Sequence, residues 1–260
     1  MPRFYLFILL TILVSPLLVN AETITFERGG VSDSTGIVAP KKIQLEFGTW
    51  DYSRDFNKNQ YSHKLGSTLF RYGLIKDRLE FRFANSGLNL TNNLVGFDSL
   101  DLGYKYAFLN KKDIESNKYF PEINLINHFS IPVSDSQFAN SGFNHSYKFL
   151  IGKSLNKKWS GLINIGPEFN SARSFRSSGA TIIQLPYVFN IAYQATKRWQ
   201  VFTEIFGSWV FSSRAGDLLG ATVGTTYALR DNLIIDFNTF WGLNNNTEEL
   251  GISSGLVYRF

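Results

Sequence analysis

Along most of this chain apolar and polar residues exchange at every second position. That is the period of a strand whose two faces meet different surroundings. The clearest case places Leu100, Leu102, Tyr104, Tyr106 and Phe108 on one face and Asp101, Gly103, Lys105 and Ala107 on the other. At the C-terminus Leu250, Ile252, Ser254, Leu256, Tyr258 and Phe260 oppose Gly251, Ser253, Gly255, Val257 and Arg259. The same alternation recurs around 43–47, 67–72, 79–83, 123–129, 146–152, 163–166, 187–194, 199–205, 221–227 and 233–241, which predicts twelve strands in all.

The connections alternate too. Tight charged turns fall at Lys76-Asp77-Arg78, Asn156-Lys157-Lys158, Thr196-Lys197-Arg198 and Arg230-Asp231-Asn232. Between them lie stretches rich in Asn, Ser and Gly at 85–96, 134–144 and 171–179. Short turns at one end, longer loops at the other and an even strand number predict an all-β fold: a transmembrane antiparallel up-and-down β-barrel of about twelve strands over residues 41–260, with both termini periplasmic. The connection at 110–118 departs from the rule, since parity makes it periplasmic and yet it is long and charged.

Ahead of the strands, Arg3 and an apolar run over 4–18 precede Val19-Asn20-Ala21. This is the layout of a secretory signal peptide spanning 1–21. Glu22 rather than a cysteine follows the expected cleavage site, which argues against a lipid anchor. Export and barrel closure together place the chain in the cell outer membrane, with outer-membrane lipid around it.

Composition fits. The chain has 24 Phe, 12 Tyr and 5 Trp, and only 18% of its residues are charged. Tyr72, Phe108, Trp159, Trp199, Trp209 and Trp241 stand near strand ends, where aromatic girdles form. The absence of cysteine excludes disulfides and thiolate chemistry. A net charge of +5 with no dense basic block gives no support to nucleic acid as a partner.

If the apolar faces meet lipid, the other parity lines the lumen. On the first four strands this face carries Glu46, Arg71, Glu80, Arg82, Asp101 and Lys105, whose signs alternate between neighbouring strands and predict a cross-strand charge ladder. On later strands it carries His128, Glu204 and Asp236 together with Phe202, Phe206 and Phe240 as candidate lumen contacts. Gly220, Thr222, Gly224, Thr226, Gly251, Ser253 and Gly255 form a wall of small groups that leaves room for a solute or a plug. Residues 22–40 lack alternation, and two readings stand open for them: a lumen plug whose Arg28 and Asp33 join the charge ladder, or a periplasmic tail.

No enzymatic constellation emerges. His63, His128 and His145 lack metal-ligand spacing, so neither a metal nor a cofactor is expected. In Asn144-His145-Ser146 the His and Ser fall on opposite strand faces, a poor geometry for a nucleophile and its base.

Four stretches resemble a bacterial outer-membrane family associated with the MetA pathway of phenol degradation. They are Glu27-Arg28 with Ser32-Asp33-Ser34-Thr35; Pro40-Lys41-Lys42-Ile43-Gln44-Leu45-Glu46-Phe47-Gly48; Leu69-Phe70-Arg71-Tyr72-Gly73-Leu74 through Asp77-Arg78-Leu79-Glu80-Phe81-Arg82; and Leu100-Asp101-Leu102-Gly103-Tyr104-Lys105-Tyr106. The family usually carries Pro and Asp after the Arg, where this chain has Gly29-Gly30. The ending with Tyr258 and Phe260 resembles the terminal signal read by the barrel-assembly machinery. The resemblance implies an outer-membrane transporter, with passive passage of a small-molecule solute, hydrophobic or aromatic in character. The alternatives are a non-conducting surface barrel and, further off, a lipid-modifying enzyme.

Overall fold

The computed structural model describes residues 24–260 apart from 58, 92–93, 98, 116–118, 134–142, 175–176 and 212–215. The expected signal peptide and most of the loop expected at 134–144 lie outside the described residues. The strand segments run β1 (Ile43–Asp55), β2 (Gln60–Leu65), β3 (Thr68–Ile75), β4 (Leu79–Asn85), β5 (Leu88–Thr91), β6 (Leu94–Phe97), β7 (Ser99–Leu109), β8 (Glu122–Pro132), β9 (Asn144–Ser154), β10 (Trp159–Ile165), β11 (Glu168–Ser174), β12 (Ser177–Gln194), β13 (Trp199–Val210), β14 (Leu218–Arg230), β15 (Leu233–Gly242) and β16 (Leu250–Arg259). Four spans are built from two segments each: β2 with β3, β4 with β5, β6 with β7, and β10 with β11. This leaves twelve spans.

Every neighbouring pair is antiparallel, and the sheet closes. β1 pairs with β16 from Gln44 opposite Arg259 to Arg54 opposite Leu250. Closure satisfies the backbone of both end strands without water, the condition for sheet structure in hydrocarbon. The molecule is an all-β, twelve-stranded, closed antiparallel transmembrane barrel.

Two spans break at glycines in the left-handed region, Gly66 (φ 72°) and Gly87 (φ 76°). A Cβ at Gly87 would strike the backbone of Leu65 and Ser67, so the close approach of the two breaks requires glycine there. The first half of β1 pairs with β3 and its second half with β2. β1 also carries a bulge between Gly48 and Trp50 in its pairing with β16. The extra residue inverts the alternation beyond it. Trp50 and Tyr52 therefore continue the outward face of Leu45 and Phe47, and Asp51 turns inward.

The outward face is apolar and exposed. Phe108, Trp159 and Trp199 mark the short-turn end, and Trp50, Trp209 and Trp241 mark the other. Ile163, Phe189, Ile191, Ile205, Val223 and Phe237 lie between them. A band of apolar side chains between two aromatic girdles is the surface a bilayer accepts.

The long connection after β7 folds onto the short turn after β3. Arg78 pairs with Asp113 at 2.6 Å, Lys112 with Asp77 at 2.5 Å, and the Asn110 side chain donates to the Asp77 carbonyl at 3.1 Å. Its length therefore does not break the up-and-down order. The Asn110 backbone N–H, with Arg78 beside it, holds the exposed Asp113 carboxylate below its ordinary range.

Two connections expected from composition are hairpins instead. β5 and β6 pair from Leu88 opposite Phe97 to Thr91 opposite Leu94, and β11 and β12 continue to Ser174 opposite Ser177. The ladder outlasts the apolar alternation because strand pairing needs no apolar face once both faces meet water.

Candidate functional site

Residues 24–40 run inside the barrel. This segment has no regular secondary structure beyond a bridge from Pro40 to Gly73, so its peptide groups must find partners on the wall. Val38 is 0% exposed and Ile24 6%.

One wall grips it with charge. The inward parity of β1, β3, β4 and β7 brings Glu46, Arg71, Glu80, Arg82 and Lys105 together, with Glu46, Arg71, Glu80 and Lys105 each 0% exposed. Arg71 forks onto Glu80, with Nε to Oε1 and Nη2 to Oε2 both at 2.8 Å, and reaches Glu46 at 3.0 Å. Into this cluster the segment inserts Glu27, which lies 3.1 Å from Arg71 and 3.5 Å from Arg82 and is hydrogen-bonded by Lys105. Asp33 accepts from Arg82 at 3.2 Å and from Lys148 on β9 at 2.5 Å. Four cations (Arg71, Arg82, Lys105, Lys148) thus face four carboxylates (Glu27, Asp33, Glu46, Glu80), and the formal charges cancel. Leaving one such group unpartnered costs about 3–5 kcal/mol, which makes the set an all-or-none fastening.

The same groups satisfy the segment's backbone. Glu46 Oε2 accepts from Glu27 N–H at 2.8 Å and Arg28 N–H at 2.9 Å. Glu80 accepts from Val38 N–H at 2.8 Å. The Gly36 carbonyl accepts from Arg71 and Lys105, and the Thr25 carbonyl from Arg71 and Gln44.

Arg28 points the other way, toward the seam where the barrel closes. It donates to Ser67 Oγ and the Ser254 carbonyl, both at 3.2 Å, and to Asp51 at 3.4 Å, and its Nε stands 3.6 Å from Asp236. Its guanidinium covers Gly255 and Gly48, where a Cβ would collide with it.

The wall of β10 to β14 holds the segment at fewer points. Glu204 accepts from Val31 N–H at 2.7 Å and from the backbone and hydroxyl of Ser32, with Asn190 beside it at 3.0 Å. Asn164 exchanges two hydrogen bonds with the backbone of Asp33. The close approach to Glu204 explains Gly29-Gly30: a Cβ at Gly30 would overlap the Glu204 carboxylate, and Gly29 has φ 102°. Two cavities of about 180 Å³ and 600 Å³ lie beside the segment, both lined in part by Phe26, Ser34, Ser160 and Gln200, and the smaller also reaches Glu122 on β8 and Gly152 on β9.

The wall of small residues expected on the last strands is present, but aromatic rings occupy its space. Phe202 lies over Gly224, Phe206 over Gly220 and Phe240 over Gly251, each where a Cβ would overlap the ring. Phe206 and Phe240 meet edge to face at 6.0 Å. A glycine on one strand admits the ring of its neighbour, so the wall is filled by its own side chains.

The remaining sequence-predicted residues fall as follows. Asp101 lies on the inward face of β7 nearer the outer end, beside Ser99 at 3.4 Å. His128 lies inward on β8 against Gly103, and its Nε2 has no hydrogen-bond partner among the described residues. Tyr258 and Phe260 pack edge to face at 4.7 Å where the barrel closes. His145 contacts Asn127 at 2.7 Å on the outward side of β9, and Ser146 takes the other face. No cluster of His, Cys, Asp or Glu suited to a metal occurs among the described residues. Glu27, Asp51, Lys148, Asn164 and Asn190 were not singled out from sequence. Lys148, Asn164 and Asn190 had the inward parity to be found, whereas Asp51 was hidden by the bulge.

This fold and lumen define an outer-membrane β-barrel of the type with a segment folded inside it. The chain belongs to the family described as "Putative MetA-pathway of phenol degradation", whose model matches residues 26–260. Among solved structures it is similar to an outer membrane channel from Pseudomonas putida F1, with 11% identity and a TM-score of 0.66 over 86% of this chain and 97% of that one. The β domain of the Bordetella autotransporter BrkA matches at 9% identity and TM-score 0.47, covering 86% and 100%. The Pseudomonas putida toluene transporter TodX matches at 10% and 0.40, covering 84% and 88%. The first likeness supports the fold alone, and the other two add nothing to it. No curated protein matches the sequence.

Proposed function

We propose that this protein is a passive outer-membrane channel for small hydrophobic or aromatic compounds, with residues 24–40 as a lumen plug. One observation carries the reading. The segment is fastened by charge to β1, β3, β4, β7 and β9, while two adjoining cavities lie between it and the wall from β8 round to β15. A solute passes on that looser side. It meets the Phe206–Phe240 pair toward the outer end, leaves by the larger cavity at the short-turn end, and needs the Glu204 contacts to yield between them. Family membership supports this reading. Passage is by diffusion, and no chemical step is assigned to the protein. Tyr258 and Phe260 form the signal taken by the assembly machinery, and residues 1–21 direct export.

The test is passage. Proteoliposomes containing the protein are expected to admit phenol or toluene faster than protein-free vesicles, with a sugar of similar size lagging behind. Equal rates with and without protein would leave the non-conducting surface barrel as the better account.

A further inference from the structure

At the short-turn end the larger cavity is lined by apolar, charged and uncharged polar groups, the last being Thr25, Ser34, Ser160, Gln194, Gln200 and Thr226. Its apolar floor is Ile24 and Phe26 from the segment, Ala228 from β14 and Ile234 from β15. Ile24 and Ile234 are buried in one cluster with Val257, and Phe26 and Ala228 pack against it, so the floor is built. The rim carries Lys197 and Arg198 from the β12–β13 turn and Asp231 from the β14–β15 turn.

Among the turns on the other side of this end, Arg78 pairs with Asp113 and Lys112 with Asp77, while Lys76 and Lys111 form no ion pair among the described residues. On the rim of the cavity, the exposed Lys197 and Arg198 form no ion pair among the described residues. Unmatched cations above an apolar floor attract anions, and an exposed guanidinium offers a planar fork that fits a carboxylate. A molecule that satisfies both parts has a hydrocarbon or aromatic body and an acidic head.

We propose that the short-turn mouth of this barrel is a binding site for amphipathic organic carboxylates. Lys197 and Arg198 hold the head, and Ile24, Phe26, Ala228 and Ile234 receive the body. The inference rests on the channel reading and names the class of solute that the mouth retains. Asp231 on the same rim opposes a carboxylate, so Asp231→Asn strengthens binding.

The experiment uses the mature protein in nanodiscs of zwitterionic lipid, titrated calorimetrically with phenylhexanoate, phenylhexanol and phenylhexylamine against empty discs. Phenylhexanoate is expected to bind about tenfold more tightly than the alcohol, the scale of a charge-assisted contact, and the amine more weakly than either. In the double variant Lys197→Gln, Arg198→Gln this margin disappears while affinity for the alcohol is kept. Ala228→Trp, which fills the floor, weakens all three. Equal binding of acid and amine, a margin that survives the double variant, or no binding of any probe would each overturn the site. Phenol passage through the same preparation in proteoliposomes separates the two readings. Passage without an acid margin sinks the site and leaves the channel. A margin removed by the double variant, in a protein that passes nothing, keeps the site and sinks the channel.

Discussion

The two halves of the lumen wall solve the same problem differently. On β1 to β9 the inward face is a balanced array of buried charge that binds side chains and backbone of the internal segment at many points. On β10 to β16 the inward face is mostly glycine, hydroxyls, aromatic rings and a few amides, and it holds the segment chiefly through Glu204, Asn164 and Asp236, the last facing Arg28 of the segment. Charge fixes position because a displaced ion pair leaves its partner buried and unsatisfied. Rings laid on glycine fill volume without gripping anything polar. The contrast teaches where a plugged barrel can yield: along the wall with the fewest directed bonds.

The comparison breaks most severely at Arg71. Arg71→Met leaves Glu27, Glu46 and Glu80 facing one another, and a loss of about 3–5 kcal/mol in resistance to unfolding is expected. Urea titration of the detergent-solubilised protein reads it. Arg71→Lys should restore only part, because the two-pronged contact to Glu80 is lost. Next in size is Glu204→Leu, which strips the acceptor from Val31 and Ser32. About 1.5–3 kcal/mol of segment docking should go with it. The readout is faster proteolysis of residues 24–40 and noisier current, with the barrel's own unfolding little changed. If the barrel unfolds as readily as in Arg71→Met, the two walls do not differ as described.

Gly251→Val probes the filled wall. The new side chain overlaps the Phe240 ring, and overpacking of this kind costs about 1–3 kcal/mol. The additional substitution Phe240→Ala should recover much of it. The smallest effect belongs to the exposed pairs of the turns. Lys112→Ala removes the contact to Asp77 at a screened surface, and the unfolding midpoint should stay within error.

The barrel was legible because alternation reports which face meets lipid, and strands such as β7 carry it over their whole length. The inward charges were legible for the same reason: Glu46, Arg71, Glu80, Arg82 and Lys105 all share the polar parity. Three things were not. Asp51 escaped because a single inserted residue at the Gly48–Trp50 bulge inverts the face, and no residue type announces it. Glu27 escaped because its segment has no period to read, so nothing local predicts that it meets Lys105 and Arg71. The small residues of the last strands suggested room, but whether a glycine leaves a space or receives a ring depends on the neighbour in register. Gly220 stands opposite Phe206 and Gly251 opposite Phe240 only once the pairing is known.

Single-channel recording in planar bilayers, with residues 22–38 deleted from the mature chain, bears on all of this most directly. Removal of the internal segment is expected to raise conductance several-fold. Conductance equal to that of the intact protein, from a barrel shown to be folded, would mean that the segment does not obstruct the lumen.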